Sequence, residues 1–238
     1  MADAWLGRHH LSQSPEIAAL RGLIDPGTRH KGADDPREAG RRTHAHHRLL
    51  WGLFADSPDR TRDFLWRAEG PGRFITLSSR RPQASALFDR SEVRPFAPDL
   101  RAGDKLAFSL RVNATRAVKT DLGARGKRVD IVMAGLYKVD QPLRAEQRAD
   151  IAQEAAEIWI TAQGLRAGFK ALHCEVEGYG VHALPGFNGP RSKPQSHGVL
   201  DLKGALEVTE PAAFLTRVVS GFGHARGFGC GLMLIRRM

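Results

Sequence analysis

The sequence has little cysteine, no long apolar run and comparatively few acidic residues. Two cysteines, Cys174 and Cys230, are too few for a disulfide framework or a cysteine-based zinc site, so we expect small buried side chains in a reducing compartment. No window is long and apolar enough to span a membrane, and the opening residues contain no apolar stretch before a cleavage site. These absences predict a cytoplasmic protein without a membrane span or a secretory signal.

The chain instead carries a strong excess of basic residues. Its 238 residues include 36 Lys+Arg and 26 Asp+Glu, a formal net charge of +10, and the pI is about 10.3. A hydrophobic content of 42% is enough to build a core, which argues against a disordered chain. Such a charge favours a polyanionic partner, most commonly nucleic acid, although solubility alone accounts for a moderate positive charge.

The order of predicted elements points to an α+β fold with two similar units. Residues 1–99 contain a strand, two helices separated by a loop, and two strands in a hairpin. Residues 100–238 follow the order strand, helix, strand, strand, helix, strand, which is the β-α-β-β-α-β pattern of a ferredoxin-like fold. The first unit is consistent with a shortened or decorated copy. We therefore predict two tandem ferredoxin-like (RRM-like) domains.

The element boundaries follow from periodicity and from helix-capping residues. In the first unit the predicted strands are 4–11, 62–68 and 73–79, the helices are 15–24 and 44–54, and residues 25–42 form a loop. In the second unit the predicted strands are 104–115, 169–177, 199–208 and 232–236, and the helices are 145–163 and 210–219.

Three histidines lie close together where the second predicted helix begins. His44, His46 and His47 follow Thr43, which is placed to cap the helix. The positive end of the helix dipole disfavours imidazolium, so a neutral imidazole able to accept a proton is expected there. His47 also shares a face with the apolar residues three, four and seven positions later. The alternatives are a boundary core role for His47 with the other two solvated, or a metal site, which lacks a nearby carboxylate ligand.

Two segments could contact a phosphate backbone. The run 111–128 holds two glycines and a single acidic residue, which favours an extended or hairpin-like arm. A second basic loop precedes the strand at 199, and for the run 111–128 a solvated loop is the alternative. The candidate RNA-binding residues are Arg111, Arg116, Lys119, Arg125, Lys127 and Arg128 in the arm, and Arg191 and Lys193 in the loop.

A glycine-rich segment, 221–231, lies between the last predicted helix and the last strand. A dinucleotide-binding fingerprint requires the reverse context, from strand to helix, so we exclude a nucleotide site. The glycines serve either tight turns or a close approach of the backbone to protein or RNA.

Four motifs in one order resemble a known family. They are HRLLWGLF at 47–54, SPDRTRDFLWR at 57–67, FSLRVNATRAVK at 108–119 and the glycine-rich close of 198–235. Together they resemble the CasE family, the repeat-processing endoribonucleases of type I-E CRISPR systems. The resemblance implies tandem ferredoxin-like domains, metal-independent cleavage of precursor CRISPR RNA at the base of the repeat hairpin, and retention of the mature guide within Cascade, beside its other subunits.

The resemblance also implies the site residues. His47 matches the family's catalytic histidine, and His44 stands where some members have a tyrosine as a second catalytic group. Attack of a ribose 2′-hydroxyl on the adjacent phosphate would use His47 as base or acid, with Arg191 or Lys193 stabilising charge and no cofactor or metal. The alternatives are a non-catalytic RNA-hairpin-binding assembly subunit and a metal-dependent nuclease, which the lack of clustered carboxylates disfavours.

Overall fold

A computed structural model of the chain describes residues 4–24, 35–57, 59–118, 127–185 and 195–238. These residues form two four-stranded antiparallel sheets, one from each half of the chain, and a small two-stranded hairpin. Cys174 and Cys230 are buried free thiols, as predicted. Within the described ranges, no helix has the length and apolar character needed to cross a membrane.

The first sheet has the ferredoxin-like strand order β2-β3-β1-β4, with every neighbouring pair antiparallel. The second crossover helix of that fold is missing, because residues 79–87 connect β3 to β4 without one. Sequence patterning missed β4, since this edge strand is almost entirely polar and exposed. The elements are β1 Trp5–Leu11, α1 Pro15–Ile24, α2 Pro36–Trp51, β2 Phe64–Gly70, β3 Arg73–Ser78 and β4 Phe88–Pro95.

The second sheet has the order β10-β5-β9-β8 and both crossover helices, α4 and α5. The predicted hairpin-like arm and a short helix that the sequence did not predict are inserted after its first strand. The predicted fold of two tandem ferredoxin-like domains is confirmed. The elements are β5 Lys105–Val112, β6 Thr115–Val118, β7 Lys127–Asp130, α3 Ile131–Leu136, α4 Arg148–Ala167, β8 Phe169–Ala183, β9 Ser196–Val208, α5 Pro211–Ser220 and β10 Met233–Arg237.

The larger hydrophobic core takes side chains from both halves of the chain. Leu65 and Leu77 of the first sheet belong to the same buried cluster as Leu110 and Leu202 of the second. A smaller cluster lies under α2 and includes Phe54. The two sheets are thus packed together, and the division of the chain at residue 99 stays a prediction.

Helix α2 begins eight residues earlier than the sequence pattern predicted. Asp35 is its N-cap, with a side-chain oxygen accepting the Arg37 N–H at 2.9 Å, and Pro36 occupies the first turn. The prediction of a loop through residue 42 is therefore wrong for 36–42, where polar residues conceal the helix, while 25–34 lie outside the described residues. His44 and His47 lie about two and three turns inside the helix, beyond the reach of its N-terminal dipole.

Candidate functional site

The imidazole of His47 lies among aromatic rings contributed by both halves of the chain. Its centroid is 6.2 Å from Trp51 and 6.4 Å from Phe64, and it is 5.6 Å from Phe228 in the glycine-rich segment. The Trp51 indole N–H donates to His47 Nε2 at 3.1 Å. Tertiary packing therefore holds the ring in one orientation.

The surroundings of His47 favour its neutral form. Burial, together with the smaller effects of the nearby positive charges of Arg62 and His44, lowers the pKa of His47 from 6.5 to about 4. The sequence-based explanation, a helix-terminal dipole with Thr43 as the cap, is wrong, since Thr43 is buried in α2 and hydrogen-bonds His182 at 3.0 Å. The predicted neutral imidazole, able to accept a proton at neutral pH, is thus explained by burial and nearby positive charge, not by the helix dipole.

The hydrogen bond from Trp51 also fixes the tautomer of His47. An indole N–H only donates, so Nε2 must accept, and the proton of the neutral ring lies on Nδ1. Nδ1 is buried, and no hydrogen-bond partner for it is found among the described residues. A buried polar atom without a partner is uncommon away from functional sites, which marks His47 as a candidate functional residue.

We expect Trp51→Phe to raise the pKa of His47 from about 4 towards 6.5. A hydrogen bond to the Nε2 lone pair stabilises the neutral imidazole, so its loss makes protonation easier, while the burial that causes most of the depression remains. An NMR titration of the imidazole in the RNA-free protein measures this shift. Trp5→Phe, in β1, is the matched control. An unchanged His47 pKa in Trp51→Phe would show that the indole N–H does not hold Nε2.

The glycine-rich segment completes the site by passing close to two aromatic rings. The Trp66 indole donates to the carbonyl of Gly227 at 3.0 Å, and Gly229 takes a positive φ of 76° against the same ring. A Cβ on Gly227 would stand 3.6 Å from both His47 Cε1 and Arg62 Nε. The segment thus serves close approach as well as turns, and the surface it approaches is the protein's own first half.

A row of basic groups extends from His47 towards the arm. The positive charge of Arg62 lowers the pKa of His47, and that of Arg226 lowers the pKa of Arg62. After burial, the charges of Arg128 and Arg226 lower the pKa of His224. Among the described residues none of these arginines forms an ion pair. Sequence reasoning did not select Arg62 or Arg226, although Arg62 stands in the SPDRTRDFLWR motif. We call Arg62, Arg226, His224 and Arg128 the basic row.

The legs of the predicted arm form a hairpin, because β6 pairs with β7 from Thr115↔Asp130 to Val118↔Lys127. Arg116 and Arg128 are exposed on these two strands. Arg111 lies instead within the second sheet on β5, where it makes two hydrogen bonds to Asp201, at 2.8 and 2.7 Å. The remaining predicted RNA contacts lie outside the described residues. They are Lys119, Arg125, Arg191, Lys193 and the side chain of Lys127.

The other two histidines of the cluster differ from each other. His46 is only 5% exposed and packs edge-on against Phe74 at 4.9 Å, so the alternative that it is solvated is wrong. His44 is half-buried one turn before His47. Burial, followed by the charge of Arg48, lowers the pKa of His44. Of the cluster, His44 is the member whose positive charge lowers the pKa of His47.

A second pair of histidines lies on the far side of Phe228 and was not predicted. The rings of His182 and His197 are 5.6 Å apart, and His197 is 6.0 Å from Phe228. Burial lowers the pKa of both, that of His182 to about 4. Within the described ranges, no group of three or more histidine, cysteine, aspartate or glutamate side chains could together hold a metal ion.

Both halves of the chain share the strand order of a ferredoxin-like sheet, which places it in the class of tandem ferredoxin-like proteins. Within that class the sequence identifies one family. The family model described as "CRISPR associated protein" matches residues 20–237, so the chain belongs to this CRISPR-associated family. The resemblance to the CasE family drawn from the four motifs is confirmed.

Individual relatives agree with this assignment. The chain is 27% identical over 194 residues to the CRISPR system Cascade subunit CasE of Escherichia coli (strain K12), covering 79% of this chain and 88% of that one. It superposes with a TM-score of 0.65 on Thermus thermophilus Cse3 bound to an RNA representing a pre-cleavage complex, at 19% identity and 98% and 99% coverage. For Cas6e from Escherichia coli str. K-12 the TM-score is 0.59, the identity 17% and the coverage 98% and 100%. At these identities the two structures establish the shared fold.

Proposed function

We propose that this chain is a metal-independent endoribonuclease that cleaves precursor CRISPR RNA at the base of the repeat hairpin and keeps the mature guide as a subunit of Cascade. The observation that carries the proposal is a neutral, oriented His47 imidazole next to arginines that have no carboxylate partner among the described residues. The names of the relatives support it, since one is a Cascade subunit and another is a Cse3 protein solved with RNA.

The proposed reaction is transesterification within the RNA. The 2′-oxygen forms a bond to the adjacent phosphorus while its proton passes to Nε2 of His47. The bond from phosphorus to the 5′-oxygen breaks, and that oxygen leaves as a hydroxyl by taking a proton from solvent water. His47 returns the proton that it accepted to solvent afterwards. The products are a 2′,3′-cyclic phosphate and a 5′-hydroxyl. For this step the 2′-hydroxyl takes the place of the Trp51 N–H as the hydrogen-bond donor to His47 Nε2. His44 is the proposed second catalytic group.

RNA binding is assigned to the hairpin arm and the basic loop. We propose that Arg116 and Arg128, which are exposed on β6 and β7, contact phosphates. We propose the same role for Arg111 and for the predicted residues outside the described ranges, Lys119, Arg125, Lys127, Arg191 and Lys193. Because the major groove of A-form RNA is deep and narrow, such contacts select hairpin shape more than base sequence.

The test of the function is to incubate the purified protein with its own repeat hairpin RNA in the presence of a metal chelator and to analyse the product ends. We expect one cut at the base of the hairpin and an upstream fragment ending in a cyclic phosphate. Tight binding without any cut, with or without added divalent ions, would favour the non-catalytic assembly subunit. A cut that disappears with the chelator would indicate a metal-dependent nuclease.

We expect the double variant Arg116→Gln/Arg128→Gln to bind the hairpin more weakly and with a flatter salt dependence. For a duplex nucleic acid, removing one cation from a phosphate lowers the magnitude of the slope of log K against log salt by about 0.9. Binding isotherms at several salt concentrations measure this slope. The matched control is Arg236→Gln, an exposed charge on β10 opposite Ala107, at the end of β5 away from the arm. Equal slopes for the double variant and the wild type would mean that these two arginines do not contact phosphates and that the arm is a solvated loop.

A further inference from the structure

Arg62 is a half-buried cation for which the described part of the chain offers no anionic partner. Its guanidinium donates to the backbone carbonyl of Phe64, and it takes part in no ion pair among the described residues. The neighbouring carboxylate, Asp63, is engaged elsewhere, because Arg80 Nε lies 2.5 Å from Asp63 Oδ2. Phe64 O is the one acceptor found for the Arg62 guanidinium among the described residues.

The nearest charge that opposes the ionised form of Arg62 is another cation, Arg226. Burial lowers the pKa of the Arg62 guanidinium, Arg226 lowers it further, and Asp63 only partly offsets both. Arg226 is held in place by two backbone carbonyls, those of Gly223 at 3.1 Å and Ser220 at 2.7 Å. Two half-buried guanidinium groups close enough for one to lower the pKa of the other are unfavourable together unless an anion lies near them. The arrangement is that of an anion site.

The backbone at Gly227 leaves a space between Arg62 and His47. The point where a Cβ would stand is 3.6 Å from Arg62 Nε and 3.6 Å from His47 Cε1, the nearest atoms of the described residues other than the two chain neighbours of Gly227. An anion bound by Arg62 would thus lie beside the imidazole. Besides burial, Arg128 and Arg226 both lower the pKa of His224, so positive charge extends from this place towards the hairpin arm.

We propose that Arg62, with Arg226 behind it, binds the non-bridging oxygens of the scissile phosphate and is a catalytic residue of the reaction. The inference rests on the proposed function and names the cation that the site uses. Negative charge on the phosphate grows as the 2′-oxygen adds to phosphorus, so a fixed guanidinium binds the transition state more tightly than the ground state. Arg62 fills the role that the sequence assigned to Arg191 or Lys193.

We expect Arg62→Gln to reduce the single-turnover cleavage rate by about 100-fold, the usual effect of removing one preorganised donor from a transition-state oxyanion. Hairpin affinity should change by less than about threefold, since only one of many phosphates loses its cation. Arg62→Lys should recover only part of the rate, because an ammonium cannot reproduce the two-pronged contact of a guanidinium. Arg60→Gln is the matched control, because Arg60 is two residues away, exposed and paired with Asp56 at 2.8 Å.

Two further measurements separate a catalytic role from a structural one. Arg62 and His44 are the groups whose positive charge lowers the pKa of His47, so Arg62→Gln should raise the apparent pKa of His47 in the pH–rate profile. Gly227→Ala places a methyl group in the space between His47 and Arg62 at ordinary contact distances, and should slow cleavage without weakening hairpin binding or lowering thermal stability.

The inference would be overturned by an Arg62→Gln rate within about threefold of the wild-type rate, or by a Gly227→Ala variant as fast as wild type. A rate loss shared by Arg60→Gln would also contradict it, since that result indicates a general effect of charge. These outcomes are distinct from failure of the proposed function, in which the wild-type protein itself leaves the repeat hairpin uncut.

Discussion

His47→Ala should abolish cleavage of the repeat hairpin while leaving its affinity for the RNA nearly unchanged. General acid–base catalysis by a positioned side chain contributes about 10²- to 10⁴-fold, and the His47 imidazole lies 3.6 Å from the point where a Cβ on Gly227 would stand, as Arg62 Nε does. A neutral ring adds little to phosphate binding, because affinity depends on cations along the backbone. Single-turnover rates and binding isotherms, measured at one salt concentration, test the two halves of this expectation separately.

The control for this variant is His10→Ala, which removes an exposed imidazole from β1. It should cleave and bind as the wild type does. Equal losses of binding and cleavage in His47→Ala would mean that the ring acts as a packing element for Trp51, Phe64 and Phe228. In that case thermal unfolding would show the same loss, because a cavity between the two halves of the chain destabilises the fold.

The fold was largely predictable because most of its strands bury one face. Strand β5 alternates exposed or half-buried with buried residues from Lys105 to Val112, and such a period of two is visible in the sequence. Strand β4 was missed for the same physical reason, since an exposed polar edge strand has no buried face to produce alternation. The start of α2 was misplaced because its first turns carry Asp35, Pro36 and charged residues but no apolar stripe.

The candidate site was predictable only in its local part. His47 and its helical neighbour Trp51 are four residues apart, so their contact follows from helix periodicity. The contact of Trp66 with Gly227 joins residues 161 positions apart, and no local pattern indicates which residue of the glycine-rich segment approaches which ring. The low pKa of His47 likewise arises from burial between the two halves, a tertiary property. The position of Arg62 beside His47 also follows only from the three-dimensional packing of these distant segments.

The Trp51 hydrogen bond and the Arg62 charge act on the same imidazole in the same direction, since both disfavour imidazolium. In the RNA-free protein this keeps His47 unprotonated well below neutral pH. A bound phosphate beside Arg62 would reduce the effect of that positive charge, and displacement of the indole N–H by the 2′-hydroxyl would free the lone pair. Substrate binding is therefore expected to make His47 a stronger base at the site where a base is needed.

Replacing a single ribose by deoxyribose, immediately upstream of the cut, should stop cleavage altogether and leave hairpin binding intact. If the 2′-oxygen is the nucleophile, its removal leaves no group to attack the phosphorus, whatever the state of His47 and Arg62. Binding depends on many phosphate contacts and on the shape of the helix, so loss of one hydroxyl has little effect on it. The measurement is a single-turnover time course on the substituted hairpin beside a binding isotherm.

The matched control is the same deoxyribose placed one nucleotide downstream of the cut, where the 2′-hydroxyl is not adjacent to the scissile phosphate. That RNA should be cut at the normal rate, because its attacking oxygen is present and the contacts along the backbone are unchanged. Normal cleavage of the upstream-substituted hairpin would instead require water as the nucleophile and give a product without a cyclic phosphate. His47 would then have to activate a water molecule, and the metal-dependent alternative would return, because a bound ion is the usual way to make water a strong nucleophile at neutral pH.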